Sequence, residues 1–328
     1  MAAVAEVAEV AADEFIRCEG LVKIYKIEDV EVVALQGLDL TIRRGEVMGI
    51  IGPSGSGKTT LMNVLGGLDA PSAGKAVVHG TDLIRISDRQ RLRYRRRTVG
   101  FVWQNVSRNL IPYLTATENV QLPMILSGRF DHRRAERLLR LVGLGHRLRH
   151  RPVTMSGGEQ QRVAIAIALA NQPPVLLADE PTGSLDTENT IRLLEVFDTV
   201  RRELGVTVVI VTHDTSMARA LDRYVQIRDG KTSTESIRRT RVTYTEQGTA
   251  EAIAALQSAT SAPEGGDEDG GEDAAQATDE ASHEHFTLLD SAGRLQIPDD
   301  MRDSYRIGGR VKLVEEDGRI LIVPGDDQ

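Results

Sequence analysis

The sequence predicts an α/β protein with a helical subdomain inserted into its main domain and a small β-rich domain at the C-terminal end. Three observations support this prediction. Strand-like and helix-like segments alternate from Phe15 to about Tyr244. Helical spacing and frequent arginine dominate from about Ser87 to Ala170. Order returns at Phe286 after a polar, acidic stretch. A chain of 328 residues is long enough for one large domain and one smaller one.

The alternating region contains short apolar runs separated by helical patterns. The predicted strands are Phe15–Val22, Val32–Ile42, Glu46–Ile51, Val175–Ala178 and Val206–Val211, and a helix is predicted over Lys58–Gly66. The last two strands are nearly continuous apolar runs, which are typical of strands buried on both faces of a parallel sheet. We therefore expect alternating βα units around a largely parallel sheet.

The composition divides the chain into four parts. The expected parts are a disordered N-terminus (1–13), a main domain (14–244) with its helical subdomain (about 87–170), an acidic flexible linker (245–283) and a small β domain (284–325). A short helix at Ala250–Gln257 is expected within the linker. In the last part we expect strands at Phe286–Asp290 and Leu295–Ile297, a helix beginning at Pro298-Asp299-Asp300, and a hairpin of Arg310–Glu315 with Arg319–Val323.

Cysteine usage and charge argue against a disulfide-stabilised protein and against a nucleic-acid-binding one. Cys18 is the only cysteine, so no intrachain disulfide is possible, which fits a reducing cytoplasm. A small buried apolar residue is the expected role of Cys18. The formal net charge of −8 arises largely from residues 263–282, which hold eight acids and no Lys or Arg. Bulk charge therefore does not favour a nucleic-acid partner.

Membrane insertion is not expected from this chain. The first 14 residues carry acids and no basic residue, unlike a signal peptide. The longest uninterrupted apolar run, Val163–Ala170, is far shorter than the roughly 20 residues that span a bilayer. If the protein works at a membrane, another chain supplies the membrane part.

A glycine-rich loop lies between the predicted strand Glu46–Ile51 and the helix that follows it. Such a loop places backbone N–H groups around phosphate oxygens at the positive end of a helix. Its glycines allow close approach, Lys58 adds a charge towards the β- and γ-phosphates, and the Thr59 hydroxyl is suited to Mg²⁺. The candidate phosphate-binding residues are Gly52, Ser54, Gly55, Ser56, Gly57, Lys58, Thr59 and Thr60.

Two acids follow the apolar run Val175–Ala178. A carboxylate at the C-terminal end of a parallel strand lies at the ligand crevice of the sheet. Asp179 is placed to bind Mg²⁺, largely through water, and Glu180 to polarise an attacking water. Alone, two acids after a strand fit a surface turn equally well, but beside a phosphate loop the catalytic interpretation is favoured.

Over about residues 14–243 the chain resembles ATP-binding-cassette (ABC) ATPases. The resemblance implies that Tyr25 stacks on adenine, although an ordinary strand aromatic fits the sequence equally well. It implies that Gln104 reaches Mg²⁺ or the attacking water and senses a membrane partner, with a plain surface amide as the alternative. It also implies that His213, which follows a buried strand, contacts the γ-phosphate.

A second motif, Met155 to Arg162, resembles the ABC signature. The resemblance implies that Ser156, Gly157 and Gly158 cap the γ-phosphate held by another subunit, and that Ser184-Leu185-Asp186 crosses between subunits. It therefore implies a homodimer around two ATP molecules, with Asp186 among the nucleotide-binding residues. Two departures are visible. Met155 replaces the usual leucine and conserves volume, and Glu159 replaces the commoner glutamine.

Several segments are similar to one branch of the family, the lipoprotein-release, macrolide-export and cell-division ATPases. These segments are Gly66–Asp69, Glu118–Val120, Leu122–Met124, Ser156–Ala168 and Pro181–Asp186. The similarity implies a four-helix permease partner with a large extracytoplasmic domain, at the cytoplasmic face of the cell membrane. The ATPase subunit of an amino-acid importer is the alternative. A soluble cassette acting on ribosomes or DNA is disfavoured, because neither a second cassette nor a long coiled coil is present.

The last forty residues resemble a swapped-hairpin (AbrB-like) domain, on the run Leu289–Pro298, the Gly308-Gly309 loop and the final hairpin. Such domains commonly dimerise and often bind DNA. Here acids outnumber bases, which favours a dimer clasp or regulatory module over a DNA-binding regulator. An inert appendage is the other alternative. The arginines of the helical region fit either a solvated helix face or a surface for acidic partner groups.

Overall fold

A computed structural model describes residues 14–27, 30–183 and 185–238, together with shorter pieces at 283–288, 295, 297, 299–305, 307, 311–316 and 319–324. In these residues the strands, numbered in chain order, are β1 (Glu14–Ile27), β2 (Val30–Arg43), β3 (Val47–Ile51), β4 (Ala73–Val78), β5 (Thr81–Asp82), β6 (Val99–Val102), β7 (Val175–Asp179), β8 (Thr207–Thr212), β9 (Arg223–Arg228), β10 (Lys231–Arg238), β11 (His283–Thr287), β12 (Val311–Glu316) and β13 (Arg319–Pro324).

The helices are α1 (Lys58–Leu65), α2 (Asp88–Arg97), α3 (Ala116–Leu126), α4 (His132–Leu141), α5 (Gly157–Ala168), α6 (Thr187–Leu204), α7 (Thr215–Arg219) and α8 (Asp299–Ser304). Single 3₁₀ turns lie at Val106–Arg108 and Pro152–Thr154. No helix in the described part of the chain is long and apolar enough to cross a bilayer.

The central sheet has the strand order β11-β10-β9-β3-β8-β7-β6. Neighbouring strands from β9 to β6 run parallel, and β10 and β11 are antiparallel to the strands beside them. Every residue of β7 and β8 is buried, because both faces of the sheet are covered. The predicted α/β class and parallel core are confirmed.

Two apolar clusters pack on opposite faces of this sheet. Alternate residues of β7 point to opposite sides: Leu177 joins the cluster that contains α1, and Leu176 joins the one that contains α5 and α6. Phe197 of α6 is fully buried in the second cluster. This packing places the N-terminus of α1 and the C-terminal ends of β3, β7 and β8 along one edge of the sheet.

The expectation of one largely parallel sheet is incomplete. The first two predicted strands form β1 and β2, which belong to a separate antiparallel sheet of order β2-β1-β4-β5. Only residues 28–29 separate β1 from β2, and a parallel pair needs a much longer crossover. Arg223 joins the two sheets: its guanidinium donates to Thr41 O (2.9 Å) in β2 and to Glu46 Oε1 (2.7 Å) just before β3.

The predicted helical region contains α3, α4 and α5, which pack on one another. Two other elements of the range 87–170 belong with the core, because β6 is the last strand of the central sheet and α2 packs against it. The limits of this subdomain, like those of the other predicted parts, remain predictions.

Two of the expected C-terminal elements, the final hairpin and the helix, are present in the described pieces, whereas most of the run Leu289–Pro298 lies outside them. β12 and β13 pair in the predicted hairpin, and α8 begins at the predicted Asp299. β11, which includes the first residues of the predicted β domain, pairs with β10 and extends the central sheet. The predictions for residues 1–13, the linker through residue 282, and Ser184 lie outside the described residues.

Candidate functional site

The glycine-rich loop turns sharply between β3 and α1. Gly52, Gly55 and Gly57 all have positive φ, at 155°, 81° and 101°. A Cβ on Gly52 would lie 2.2 Å from the carbonyl oxygen of Ile227, and one on Gly57 would lie 2.6 Å from that of Ala34. Side chains cannot be accommodated there, so glycine is required for both backbone conformation and space.

Lys58, the first residue of α1, lies inside this loop. Its Nζ donates to Gly52 O (2.6 Å) and Pro53 O (2.9 Å), so the loop curves around the ammonium group. Burial lowers the pKa of Lys58, while the charges of Glu180 and Asp179 act to raise it. A cation and free N–H groups at a helix N-terminus form an anion-binding cradle.

The two predicted acids lie at the C-terminal end of β7. Asp179 is buried, and burial together with the charge of Glu180 raises its pKa, while Lys58 acts to lower it. Glu180 has a φ of 45°, a left-handed backbone conformation unusual for glutamate. Strain of this kind is often found where a side chain must be directed into a site.

Glu180 is held by two residues at the end of β8. Thr212 Oγ1 donates to Glu180 Oε2 (3.1 Å), and His213 Nδ1 lies 2.8 Å from Glu180 Oε1. The carboxylate is largely buried, whereas His213 is exposed and open to a ligand. The structure therefore brings the predicted base, the predicted histidine and the predicted phosphate loop to one edge of the sheet.

Gln104 and Tyr25 each lie beside one element of this site. Gln104 follows β6, and its Nε2 is 3.9 Å from the position of a Cβ on Gly183, close to the loop after Glu180. Tyr25, on β1, is hydrogen-bonded to Asp69 and Thr60, and burial with the Asp69 contact raises the pKa of its hydroxyl. Its ring is only partly exposed. Stacking on adenine remains a prediction.

The signature segment begins α5. Ser156 is the N-cap: its Oγ accepts from Glu159 N (3.3 Å), and its own N–H donates to Glu159 Oε2 (2.9 Å). Arg147 Nε also donates to Glu159 Oε1 (2.8 Å). Burial acts to raise the pKa of Glu159, but these contacts outweigh it and hold the pKa below its usual value. Glutamate thus adds an ion pair to the cap, and Met155 fills the core beside it.

The signature segment lies against the loop and helix that follow Glu180. A Cβ on Gly157 would be 3.8 Å from Leu185 Cδ2, and one on Gly158 would be 2.7 Å from Asn189 Oδ1. Asn189 Nδ2 donates to both carboxylate oxygens of Asp186 (2.9 and 3.0 Å), and Asp186 caps α6. Sequence reasoning missed Asn189. The available signal was its position three residues after Asp186, the spacing at which a residue contacts the N-cap side chain.

The donor set fits a nucleotide with Mg²⁺. Ser56 Oγ is buried beside Lys58 and has no hydrogen-bond partner in the described residues. A buried hydroxyl normally has a partner, and a bound phosphate oxygen would supply one. No cluster of three His, Cys, Asp or Glu suited to a metal occurs in the described ranges. One carboxylate, Asp179, with the Thr59 hydroxyl matches the way Mg²⁺ is usually held, through few protein ligands plus phosphate oxygens.

A phosphate loop between a parallel strand and a helix, with an acid pair at the end of β7 in the same parallel sheet, defines a P-loop nucleoside triphosphatase. The ABC transporter family matches residues 35–183. With its signature motif at the N-terminus of α5, the chain belongs to this family as an ATP-binding subunit, and it is an ATPase.

Relatives share the whole cassette. The lipoprotein-releasing system ATP-binding protein LolD 2 of Caulobacter vibrioides is 47% identical over 222 residues, covering 67% of this chain and 96% of the relative. The macrolide export ATP-binding/permease protein MacB of Syntrophobacter fumaroxidans is 43% identical over 228 residues, covering 68% of this chain and 32% of the relative.

A solved structure supports the fold. The dimeric, post-hydrolysis state of the ATP-binding cassette MJ0796 with ADP and Pi is 39% identical, with a TM-score of 0.60, covering 67% of this chain and 97% of that one. ABC cassettes form dimers and work with membrane permease subunits, and this chain is a subunit of that kind.

Proposed function

We propose that two copies of this chain close around two ATP·Mg²⁺, and that hydrolysis of the ATP lets them separate. The observation that carries the proposal is the position of the signature segment. Its first turn lies against Leu185 and Asn189, and α5 packs on β6, α3, α4 and α6. In this proposal the serine–glycine cap binds the nucleotide on the phosphate loop of a second copy, and not the nucleotide on its own loop.

The contacts described above support the role proposed for each residue of the site. Lys58 and the loop N–H groups bind the β- and γ-phosphates. Glu180, oriented by Thr212 and His213, takes the proton of the attacking water and directs its oxygen at the γ-phosphorus. Mg²⁺, when bound, would be held by Asp179 and Thr59, with Gln104 nearby, and would neutralise phosphate charge.

His213 and Gln104 sense the γ-phosphate in this proposal. The exposed His213 ring is free to contact it while remaining bonded to Glu180. Gln104 lies beside Gly183, at the start of the segment that leads to Asp186, so a shift at one nucleotide is passed to the facing subunit. Closure is then a population shift that contacts with the γ-phosphate drive.

A mixing experiment tests the composite site. Lys58→Ala and Ser156→Ala chains are each expected to be nearly inactive, whereas a mixture of the two forms heterodimers with one intact site and regains activity. The control is the double variant mixed with either single variant, which cannot form an intact site. No recovery in the first mixture, or equal recovery in the control, would refute sites shared between copies.

The partner is proposed to be a permease with a large extracytoplasmic domain, which places this chain at the cytoplasmic face of the cell membrane. Similarity to the LolD and MacB relatives supports this, and it implies export, extraction or mechanical transmission. The alternative is the ATPase of an amino-acid importer. Purification of the tagged chain from detergent-solubilised membranes distinguishes the two. A multi-span permease with a separate soluble binding protein would favour the importer.

The C-terminal region is proposed to be an AbrB-like dimer clasp or regulatory module, within the predicted limits 284–325. A lone two-stranded hairpin is marginally stable in water, and Leu313 and Leu321 of β12 and β13 are 65% and 42% exposed. These side chains suit a partner hairpin. Light scattering of Leu313→Asp without nucleotide is expected to show less dimer than the parent chain. An unchanged dimer fraction would leave the hairpin as an appendage.

A further inference from the structure

Five arginines form a basic cluster away from the nucleotide site. Together with Leu92, Ser127 and Asn171 they line a cavity of about 220 Å³. The five are Arg89, Arg93, Arg96 and Arg97 of α2, and Arg129 just after α3. None of them forms an ion pair with any residue in the described part of the chain.

The floor of this cavity is ordered by hydrogen bonds. Ser127 Oγ donates to Asn171 Oδ1 (2.9 Å) and also lies 2.9 Å from Met124 O, and Asn171 Nδ2 donates to Pro123 O (3.3 Å). These contacts hold the C-terminal end of α3 beside Asn171, which lies shortly before β7. Five like charges around one ordered cavity repel one another, so an anionic occupant would lower the electrostatic energy.

The position of the cluster excludes the bound nucleotide as its occupant. Arg97 ends α2 just before β6, and Asn171 lies just before β7. Both therefore lie at the N-terminal edge of the parallel strands, whereas the phosphate loop and Glu180 lie at the opposite edge. If an anion binds this cluster, it is therefore a different one from the bound nucleotide.

The end of β10 lies at that same N-terminal edge. β10 is antiparallel to β9, and Ile237 pairs with Arg223 at the start of β9. β11 returns to β10, with His283 paired to Arg238. Arg238 and His283, which are separated by 44 residues in the sequence, therefore both lie on the edge that bears the cluster.

The sequence between these strands is chemically complementary to the cluster. Six acids fall within ten residues, at Glu264, Asp267, Glu268, Asp269, Glu272 and Asp273, with no Lys or Arg among them. β10 and β6 are five strand spacings apart, about 24 Å. Asp269 precedes His283 by 14 residues, which span up to about 46 Å when extended. The acids can reach the cluster.

We propose that the acidic segment 264–273 of this chain docks on the arginine cluster formed by α2 and Arg129. Carboxylates bind guanidinium groups through paired, charge-assisted hydrogen bonds. The tether raises the local concentration of the acids to about the millimolar range, so individually weak pairs add to a stable contact. The docked segment covers a surface that would otherwise attract other anions.

Paired-cysteine crosslinking in the full-length chain tests this. The native Cys18 is not expected to react with the crosslinker, because it is buried and burial raises the pKa of its thiol to about 12. Asp269→Cys combined with Arg93→Cys is expected to give an intrachain product with a short bismaleimide. Asp269→Cys with Arg151→Cys, an exposed arginine outside the cluster, is the control. The first pair should react at least about fivefold more in about 50 mM salt than in about 500 mM, where the Debye length is near 4 Å.

A second control is available within the acidic run. Asp279 and Glu280 lie too close to His283 to span the 24 Å, since three or four residues reach only about 13 Å. Changing these two to amides should leave the crosslink intact, whereas changing the other five acids of 264–273 should abolish it. Equal yields from Arg93→Cys and Arg151→Cys, or a product of dimer mass only, would overturn the proposal.

Other occupants give distinct results. Flotation with vesicles of phosphatidylcholine and phosphatidylglycerol is expected to show weak binding for the parent chain. Binding should rise when the six acids are neutralised and fall when the five arginines become glutamine. Strong binding of the parent chain that is unchanged by neutralising the acids would assign the cluster to an anionic membrane and refute the proposal.

Discussion

Replacing Glu180 with Gln is the sharpest test of the catalytic site. The native carboxylate lies 3.1 Å from Thr212 Oγ1 and 2.8 Å from His213 Nδ1. The glutamine amide is nearly the same shape, so it can still accept from Thr212 and stay beside His213. It cannot take a proton from water. A positioned general base contributes roughly 10²- to 10⁴-fold, which corresponds to about 3 to 5 kcal/mol of barrier. Because phosphate binding by Lys58 is untouched, ATP should bind while hydrolysis stops.

Two measurements check this. Phosphate release in a steady-state assay should fall by about 10²-fold or more. Light scattering with saturating ATP should show dimer accumulating, because the closed state forms and cannot reset. Thr212→Ala is the matched control: it removes one orienting contact and keeps the base, so a loss of about 10-fold with no trapped dimer is expected. Undiminished turnover by the Gln variant would refute the role of Glu180.

Three further predictions concern charge. Lys58→Ala should abolish ATP binding, measured by equilibrium dialysis, and retained tight binding would contradict the site. Asp179→Asn should raise the melting temperature at neutral pH by a few degrees, because burial raises the pKa of Asp179 and its charge destabilises the fold above that pKa. The same variant should abolish Mg²⁺-dependent hydrolysis. A lower melting temperature would contradict the stability argument. Glu159→Gln should cost about 0.5–1 kcal/mol of unfolding free energy above the ordinary pKa of glutamate, and denaturant titrations should show the difference vanishing as pH falls through its lowered pKa.

Much of the site could be predicted from sequence because phosphate chemistry restricts local backbone. The loop needs glycine at Gly52 and Gly57, where a Cβ would meet backbone oxygens. An apolar run that ends in two acids places them at the ligand edge of any parallel sheet. Both motifs are contiguous in the chain, so spacing alone revealed them. The functional roles of these residues are still predictions that the variants above test.

What sequence could not supply was contact between distant segments. The apolar run of β1 looks like any strand, and only its short connection to β2 and its partners place it in a second, antiparallel sheet. β11 has the pattern of a separate domain, yet its free hydrogen-bonding groups pair with the open edge of β10. Pairing at a sheet edge depends on backbone groups and leaves no side-chain pattern, which is why the sequence did not predict the β10–β11 contact.

The amino-acid sequence by itself determined the α/β class, the phosphate loop, the acid pair and the signature segment, because each depends on residues close together in the chain. Only the tertiary structure decided that Asn189 joins the signature to Asp186, and that α2 and Arg129 create one basic cavity. These depend on packing between elements far apart in sequence. Buried area and shape select such contacts, and neither can be read from local periodicity.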